Sequence, residues 1–238
     1  MNDDEISLLI QSFGNLSNPD QEIRDPANEY VINLVQSNPM NFLFLSSKII
    51  HIDDLPDSIY RMALTLMGHT LTPSLKTPIQ MIESTFLDPS NKDERALIKE
   101  ASFRGLMFSD QVIRQQASYC VLLILQMEKD QWSELFPSLF EIASSNISQY
   151  STEAHCGAIY CFKNIIQSDI PFDQIEEFVE NFYFLIIHIL SASEIESEIL
   201  YNDSFECYIS ILHRLEENSR IDDEIALKCF EIIDKSID

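Results

Sequence analysis

The chain has 238 residues, 45% of them hydrophobic and 10% aromatic, ample material for a core, and no Gly-, Ser- or Pro-rich linker divides it. Its formal net charge of −24 and sequence pI near 4.3 make nucleic acid a poor partner, because affinity for it rests on Lys and Arg neutralising phosphates. An anionic membrane is disfavoured on the same ground, whereas basic proteins are attracted to such a surface and steered toward it.

Asp3 to Phe13 predicts a first short helix with Ile6, Leu9, Ile10 and Phe13 on its apolar side, stopped by Gly14. Asn18-Pro19-Asp20 then reads as a helix start, with Asn18 as cap and Pro19 at the first helical position. The second helix runs to about Ser37 and buries Ile23, Ala27, Val31 and Leu34; at Pro26 it either kinks or restarts from an Asp25 cap. Asn38-Pro39 opens a third helix carrying Phe42, Leu45, Ile49 and Ile50, broken at Asp53-Asp54-Leu55-Pro56. Pro56 to Leu71 is the fourth, with Ile59, Ala63, Leu66 and Met67 as its stripe. Residues 72–91 hold Pro73, Pro78 and Pro89 and predict a connection with one helix, Ile79 to Leu87, before a helix from Lys92 to Phe108.

Ser109 to Ser168 reads as three helices in succession. Ile113, Ala117, Cys120, Val121 and Ile124 mark the first, Trp132, Leu135, Leu139 and Ile142 the second, and Ala154, Ala158, Cys161, Phe162 and Ile165 the third. These stripes are wider than one packing partner requires, as in helices held between neighbours on two sides. Pro171 starts a helix to about Ala192, Glu194 to Glu216 gives its partner, and Asp222 to Ile237 adds one more, whose apolar face (Ile225, Phe230, Ile233) calls for a further repeat.

Outside the Pro-rich connection the helices pair at a spacing of about 35 to 45 residues, which is that of HEAT and armadillo arrays. No sustained period-two alternation and no Asn-Gly or Asp-Gly hairpin signal occurs. The fold class that follows is all-α: a HEAT-repeat, right-handed superhelical solenoid of about six helix pairs, the last incomplete, spanning 1–238 as a single array.

The 5 Cys (Cys120, Cys156, Cys161, Cys207, Cys229) lie in helical apolar stripes and are odd in number, so they read as core residues in a reducing compartment. MNDDEIS is acidic where a signal peptide needs a basic region, and the apolar run from Phe182 to Leu190 is too short to span a bilayer. These features predict a soluble intracellular protein. No Gly-rich phosphate loop, His-Glu-x-x-His or Gly-x-Ser-x-Gly occurs. His155, Cys156 and Cys161 invite a metal reading, but positions five apart on a helix diverge and no second ligand pair is near. His51, His69, His188 and His213 are isolated. The sequence therefore predicts no enzyme, no metal and no cofactor.

Four passages resemble the N-terminal part of the importin-β (karyopherin-β) nuclear transport receptors. Asn18 to Leu34, with Asp20, Ile23-Arg24, Ala27 and Leu34, is similar to the family's first B helix, and Leu55 to Leu71, with Arg61 and Ala63, to its second. Val112 to Leu139 matches an Ala-rich helix followed by an acidic residue, Trp and a Leu-rich helix, through Ala117, Glu128, Trp132, Leu135 and Leu139. Ser151 to Ile166 and the aromatic helix beyond continue the likeness, whereas Met67-Gly68-His69 stands where the family often has Leu-Lys-Asn.

The resemblance implies a receptor that shuttles between cytoplasm and nucleus. It implies a concave surface, made by the second helix of each pair, that holds the small GTPase Ran in its GTP form; with the core stripe facing the partner helix, the adjacent polar positions left for that surface are Glu29, Asn33, Thr65, His69, Tyr119 and Gln126. It also implies a slot for the Phe side chains of Phe-Gly nucleoporins between helix 172–192 and helix 221–237, lined by Phe178, Phe182, Tyr183, Ile186, Ile225 and Phe230. Family members carry many more repeats, so basic cargo or an importin-α-like adaptor would dock on repeats absent here. The competing reading is a HEAT scaffold outside transport, such as a phosphatase or vesicle-coat subunit.

Overall fold

The computed structural model describes residues 3–72, 79–128, 132–145, 149–191 and 197–220. Among these residues every regular element is helical. The predicted helix 222–237, with Ile225 and Phe230, lies outside the described residues. The helices fall into two compact units, Met1–Lys129 and Asp130–Asp238.

The first unit holds α1 (Asp3–Leu16), α2 (Gln21–Ser37), α3 (Pro39–Ile50), α4 (Asp57–Leu71), α5 (Ile79–Phe86), α6 (Lys92–Gly105) and α7 (Gln111–Glu128). They pack as antiparallel neighbours α1/α2, α3/α4 and α6/α7, with α3 on α6 and α4 on α7 linking one pair to the next. Gly14 does not stop α1. The helix continues to Leu16, and Gly14 instead faces Ile59 of α4, where an added Cβ would make ordinary contact at 3.9 Å.

Pro26 does not restart a helix from Asp25: α2 is one helix from its Asp20 cap, which accepts from the Glu22 amide at 3.0 Å. Pro39 occupies the first turn of α3, where the missing N–H costs nothing, behind an Asn38 cap. The predicted Lys92–Phe108 helix ends early, at Gly105. There an added Cβ would come within 2.6 Å of Ala117 Cβ, so the glycine permits the close approach of α6 and α7.

The core of this unit is built from Leu9, Phe13, Phe42, Leu45, Ile49, Ala63, Leu64, Met67, Ile98, Ile113, Ala117, Val121 and Ile124, all at or near zero exposure. Each fully buried Leu, Ile or Phe contributes about 1.5–3 kcal/mol relative to exposure. Polar side chains fix the turns. Tyr60 donates to the Ile52 carbonyl at 2.7 Å and accepts from the Leu55 amide at 3.1 Å, pinning the α3–α4 turn. The buried Arg114 donates to the Phe108 and Ser109 carbonyls at 2.8 and 2.7 Å, and Arg24 does the same for Asn18 at 3.1 Å. The buried Glu128 closes the far end, bridged to Arg95 at 3.1 Å and Lys99 at 2.6 Å of α6.

The second unit holds α8 (Leu135–Ser144), α9 (Thr152–Ile166), α10 (Glu176–Ser191) and α11 (Glu198–Glu217). They pair as α8/α9 and α10/α11, with α9 on α11 and α8 on α10. Trp132 is buried but precedes α8 rather than opening it, and a 3-10 turn, Phe172–Gln174, stands between Pro171 and α10.

Candidate protein-binding surfaces

In the first unit the exposed ridge is made by α4 and α7. Asp110 caps α7 by accepting from the Ile113 amide at 3.0 Å, and the same carboxylate receives Arg61 from α4, Nε to Oδ1 at 3.1 Å and a second nitrogen to Oδ2. Hydrogen bonding to Arg61 is the main reason that the Asp110 carboxyl is held below the usual carboxylate range. One pairing thus starts a helix and ties two helix pairs together.

Farther along the ridge, Gly68 leaves room for the Tyr119 ring, whose Cδ1 would lie 3.0 Å from an added Cβ. Thr72 Oγ1 donates to the Gly68 carbonyl at 2.7 Å and stands 3.0 Å from the Tyr119 hydroxyl, which donates to it. Beneath, the Cys120 thiol donates to the Leu64 carbonyl at 3.4 Å. Its full burial pushes its pKa up to about 12, so it is a packing residue and not a nucleophile.

Four of the sequence-derived partner residues lie on these two helices: Thr65 half-buried and His69 exposed on α4, Tyr119 at 40% exposure and Gln126 exposed on α7. The other two, Glu29 and Asn33, are exposed on α2, which packs on α1 and the start of α3. The exposed side chains along α4 and α7 are largely uncharged, and Arg61 is committed to Asp110. The acidity lies elsewhere: 22 of the 39 acidic residues but only 5 of the 15 basic ones fall in Asp130–Asp238, a net −17 against −7 for the first unit.

In the second unit the aromatic helix turns its rings inward. Phe182 is fully buried and stacks on Phe162 with centroids 3.6 Å apart, Phe140 meeting it edge-on at 5.6 Å. The half-buried Phe178 stacks on Phe136 at 4.3 Å. Tyr183 lies by Tyr208 at 6.0 Å, and Ile186 is fully buried. Phe182, Tyr183 and Ile186 are therefore interior residues, Phe182 packed on α8 and α9 and Tyr183 on α11. The exposed ring on α10 is Phe184, at 58%. Its sequence signal is its register: it falls off the 179–182–186–190 stripe, a displacement that a run of six apolar residues conceals.

The exposed edge of α9 and α11 repeats the logic of the first unit. Lys163, buried along its stem and over the Tyr160 ring, reaches Glu206 at 2.6 Å, and Gln167 donates to Ser210 at 2.8 Å.

His155 and Cys156 are buried on α9, as is Cys161, and His155 Nε2 stands 3.3 Å from Ser145 Oγ. Among the described residues no group of His, Cys, Asp and Glu is placed to hold a metal ion, and no helix is long and apolar enough to cross a membrane. A shallow groove of about 530 Å³ is lined by Glu100, Phe103, Arg104, Met107 and Phe108, where Arg104 is engaged by Asp53 at 2.6 Å. Such surfaces, cross-tied helices with uncharged or acidic faces, suit docking of another macromolecule.

No protein-family model and no curated relative matches the sequence. Solved structures do. The chain is similar to Kap95p, whose binding induces the switch loops of RanGDP to adopt the GTP-bound conformation, at 14% identity and a TM-score of 0.76 over 99% of this chain and 26% of that one. It is similar to Kap95 in its complex with Nup1, at 14% identity and a TM-score of 0.76 over 99% of this chain and 27% of that one. To importin-β crystallised in an ammonium sulfate condition it is 13% identical, with a TM-score of 0.78 over 94% of this chain and 26% of that one. The chain thus spans about a quarter of the length of the structures it matches. The resemblance drawn from the sequence holds at the level of architecture: the chain is an all-α HEAT-repeat array with the fold of importin-β.

Proposed function

We propose that the chain acts in nucleocytoplasmic transport as the N-terminal part of an importin-β-like receptor, a non-enzymatic carrier that shuttles between cytoplasm and nucleus. The observation that carries this reading is the likeness to Kap95 over nearly the whole chain, including Kap95 engaged with RanGDP and with Nup1. A Ran-type GTPase in its GTP form docks on the α4–α7 ridge, with Tyr119 as the anchor and Thr65, His69 and Gln126 around it; Glu29 and Asn33 on α2 complete the contact. An exposed aromatic ring flanked by polar, near-neutral side chains is the composition of an interface centre.

Phe-Gly segments of nucleoporins dock on the second unit, where the exposed Phe184 and the half-buried Phe178 offer ring surface. One Phe buried there gains at most about 1.5–3 kcal/mol before ordering costs, the weak and repeatable contact that passage through a pore needs. Basic cargo, or an adaptor carrying it, is drawn by the acidic balance and held by further repeats.

The test is immobilised GTP-loaded Ran against the chain and its Tyr119→Ala and His69→Glu variants. Each variant is expected to weaken binding at least about tenfold, as loss of an interface anchor does, with circular dichroism unchanged. Unaltered binding by both variants would remove the ridge from the interface. No binding by the parent chain would favour a HEAT scaffold outside transport.

A further inference from the structure

The first unit is not held together evenly. The α3/α4 and α6/α7 pairs are tied to each other on both edges: Arg61 to Asp110 and Tyr119 to Thr72 on one, Arg104 to Asp53 at 2.6 Å on the other. Between the edges run fully buried stripes of α4 and α7. Helix α1 belongs to this block as well. Its Leu9 and Phe13 are buried, Phe13 sits edge-on to Phe42 at 6.4 Å, and Gly14 faces Ile59.

Helix α2 differs. Of its residues only Ala27 and Val31 are buried, and Ile23 and Ile32 stay 41% and 43% exposed. Pro26 removes the hydrogen bond that residue 26 would donate to the Glu22 carbonyl, and its ring crowds that carbonyl. Its described polar contacts are local: Gln21 to Asp25 within the helix at 2.8 Å, and Arg24 back to the Asn18 carbonyl. Among the described residues, no side chain of α2 makes a hydrogen bond or ion pair to α3, α4, α6 or α7. Little apolar burial and an interrupted helix ladder are the physical marks of a segment that opens on its own.

We infer that α2 is a displaceable strap: it lifts from α1 as a cooperative unit while α1 and the α3–α7 block stay folded. Opening exposes the surface under Ala27 and Val31 and the half-buried sides of Tyr30, Leu34 and Val35, and the turn from Ser17 to Asp20 supplies the hinge between two intact helices. Because Glu29 and Asn33 ride on α2, a partner that grips them meets a movable element on one side and a rigid ridge on the other. That last consequence alone rests on the partner reading above.

The test is amide hydrogen exchange of the full chain, followed by mass spectrometry and without any partner. Residues 27–37 are expected to exchange together at least about a hundredfold faster than residues 59–71 and 113–126, with residues 5–14 grouped with the slow set. Pro26→Ala, which restores the missing donor, is expected to slow exchange in α2 by about tenfold or more and to leave α7 unchanged. Equal protection of α2 and α4 would overturn the inference, as would α1 opening together with α2, or a Pro26→Ala effect spread over α4 and α7. Since no GTPase enters the experiment, its failure is separable from failure of the transport reading.

Discussion

Gly105 and Gly68 set how closely α6 and α4 approach α7, and the two differ in what stands opposite. A Cβ at 105 would collide with Ala117 Cβ, which sits on the backbone and cannot swing away; a Cβ at 68 would press on the Tyr119 ring, which can. Gly105→Ala is therefore expected to cost about 1–3 kcal/mol in urea unfolding, the range for overpacking, and Gly68→Ala distinctly less. Equal costs would mean that α6 and α7 yield as easily as a surface tyrosine.

His155 carries a pH dependence. It is buried on α9, and burial lowers its pKa by disfavouring the charged ring. The folded state therefore prefers neutral His155: the contribution to stability is complete above the unfolded value near 6.5 and is lost as pH falls through it toward the lower folded value. His155→Gln has no such proton to take up. The urea midpoint of the parent chain is expected to fall, relative to that of the variant, between about pH 7.5 and 5.5. Parallel pH profiles would contradict the assignment. The sequence marked this histidine only by its neighbours Cys156 and Cys161; that it is a buried neutral side chain follows from the depth of α9, which periodicity does not measure.

At the scale of the element, the helices were legible because each writes an apolar stripe and most write a cap: Asn38 with Pro39 for α3, Ser151 for α9. The misread boundaries share one cause. Gly14 is punctuation by local propensity, yet α1 continues through it because tertiary packing outweighs about 1 kcal/mol for a Gly; Pro26 starts no second helix, and α2 spans it with one backbone hydrogen bond fewer. The converse error is Trp132, whose place in an apolar stripe suggested a helix where the chain makes none.

Helix α10 shows the limit more sharply. Phe182, Tyr183, Phe184, Leu185 and Ile186 are all apolar, so which of them faces out is decided by the partners α8, α9 and α11 and not by the run itself. Phe182→Ala is expected to cost about 3–5 kcal/mol and Phe184→Ala less than about 0.5 kcal/mol in thermal or urea unfolding. Reversal of that order would turn the helix over and return Phe182 to the surface.

For the whole molecule, fold class was readable from the recurrence of helix pairs and from the order of the Arg24, Arg61 and Trp132 passages, and the likeness to importin-β structures agrees with both. Arg61 proved to tie one pair to the next through Asp110, and the unremarked Arg114 to hold a turn closed, roles that lie 49 residues and a turn away from any local signal. Composition gave the charge but not its place. The largely uncharged α4–α7 ridge and the strongly acidic second unit are different kinds of surface, and under the proposed function they serve different partners: one that packs against Tyr119, and one that brings Lys and Arg.

Under the proposed function the first unit recognises a Ran-type GTPase by its nucleotide state, and titration of the chain with Ran loaded with GTP and then with GDP, at one ionic strength near 0.15 M, decides whether it does. Binding to the GTP form is expected to be tighter by at least about a hundredfold, a coupling of roughly 2.7 kcal/mol. Equal affinity for the two forms, or no affinity for either, would contradict it.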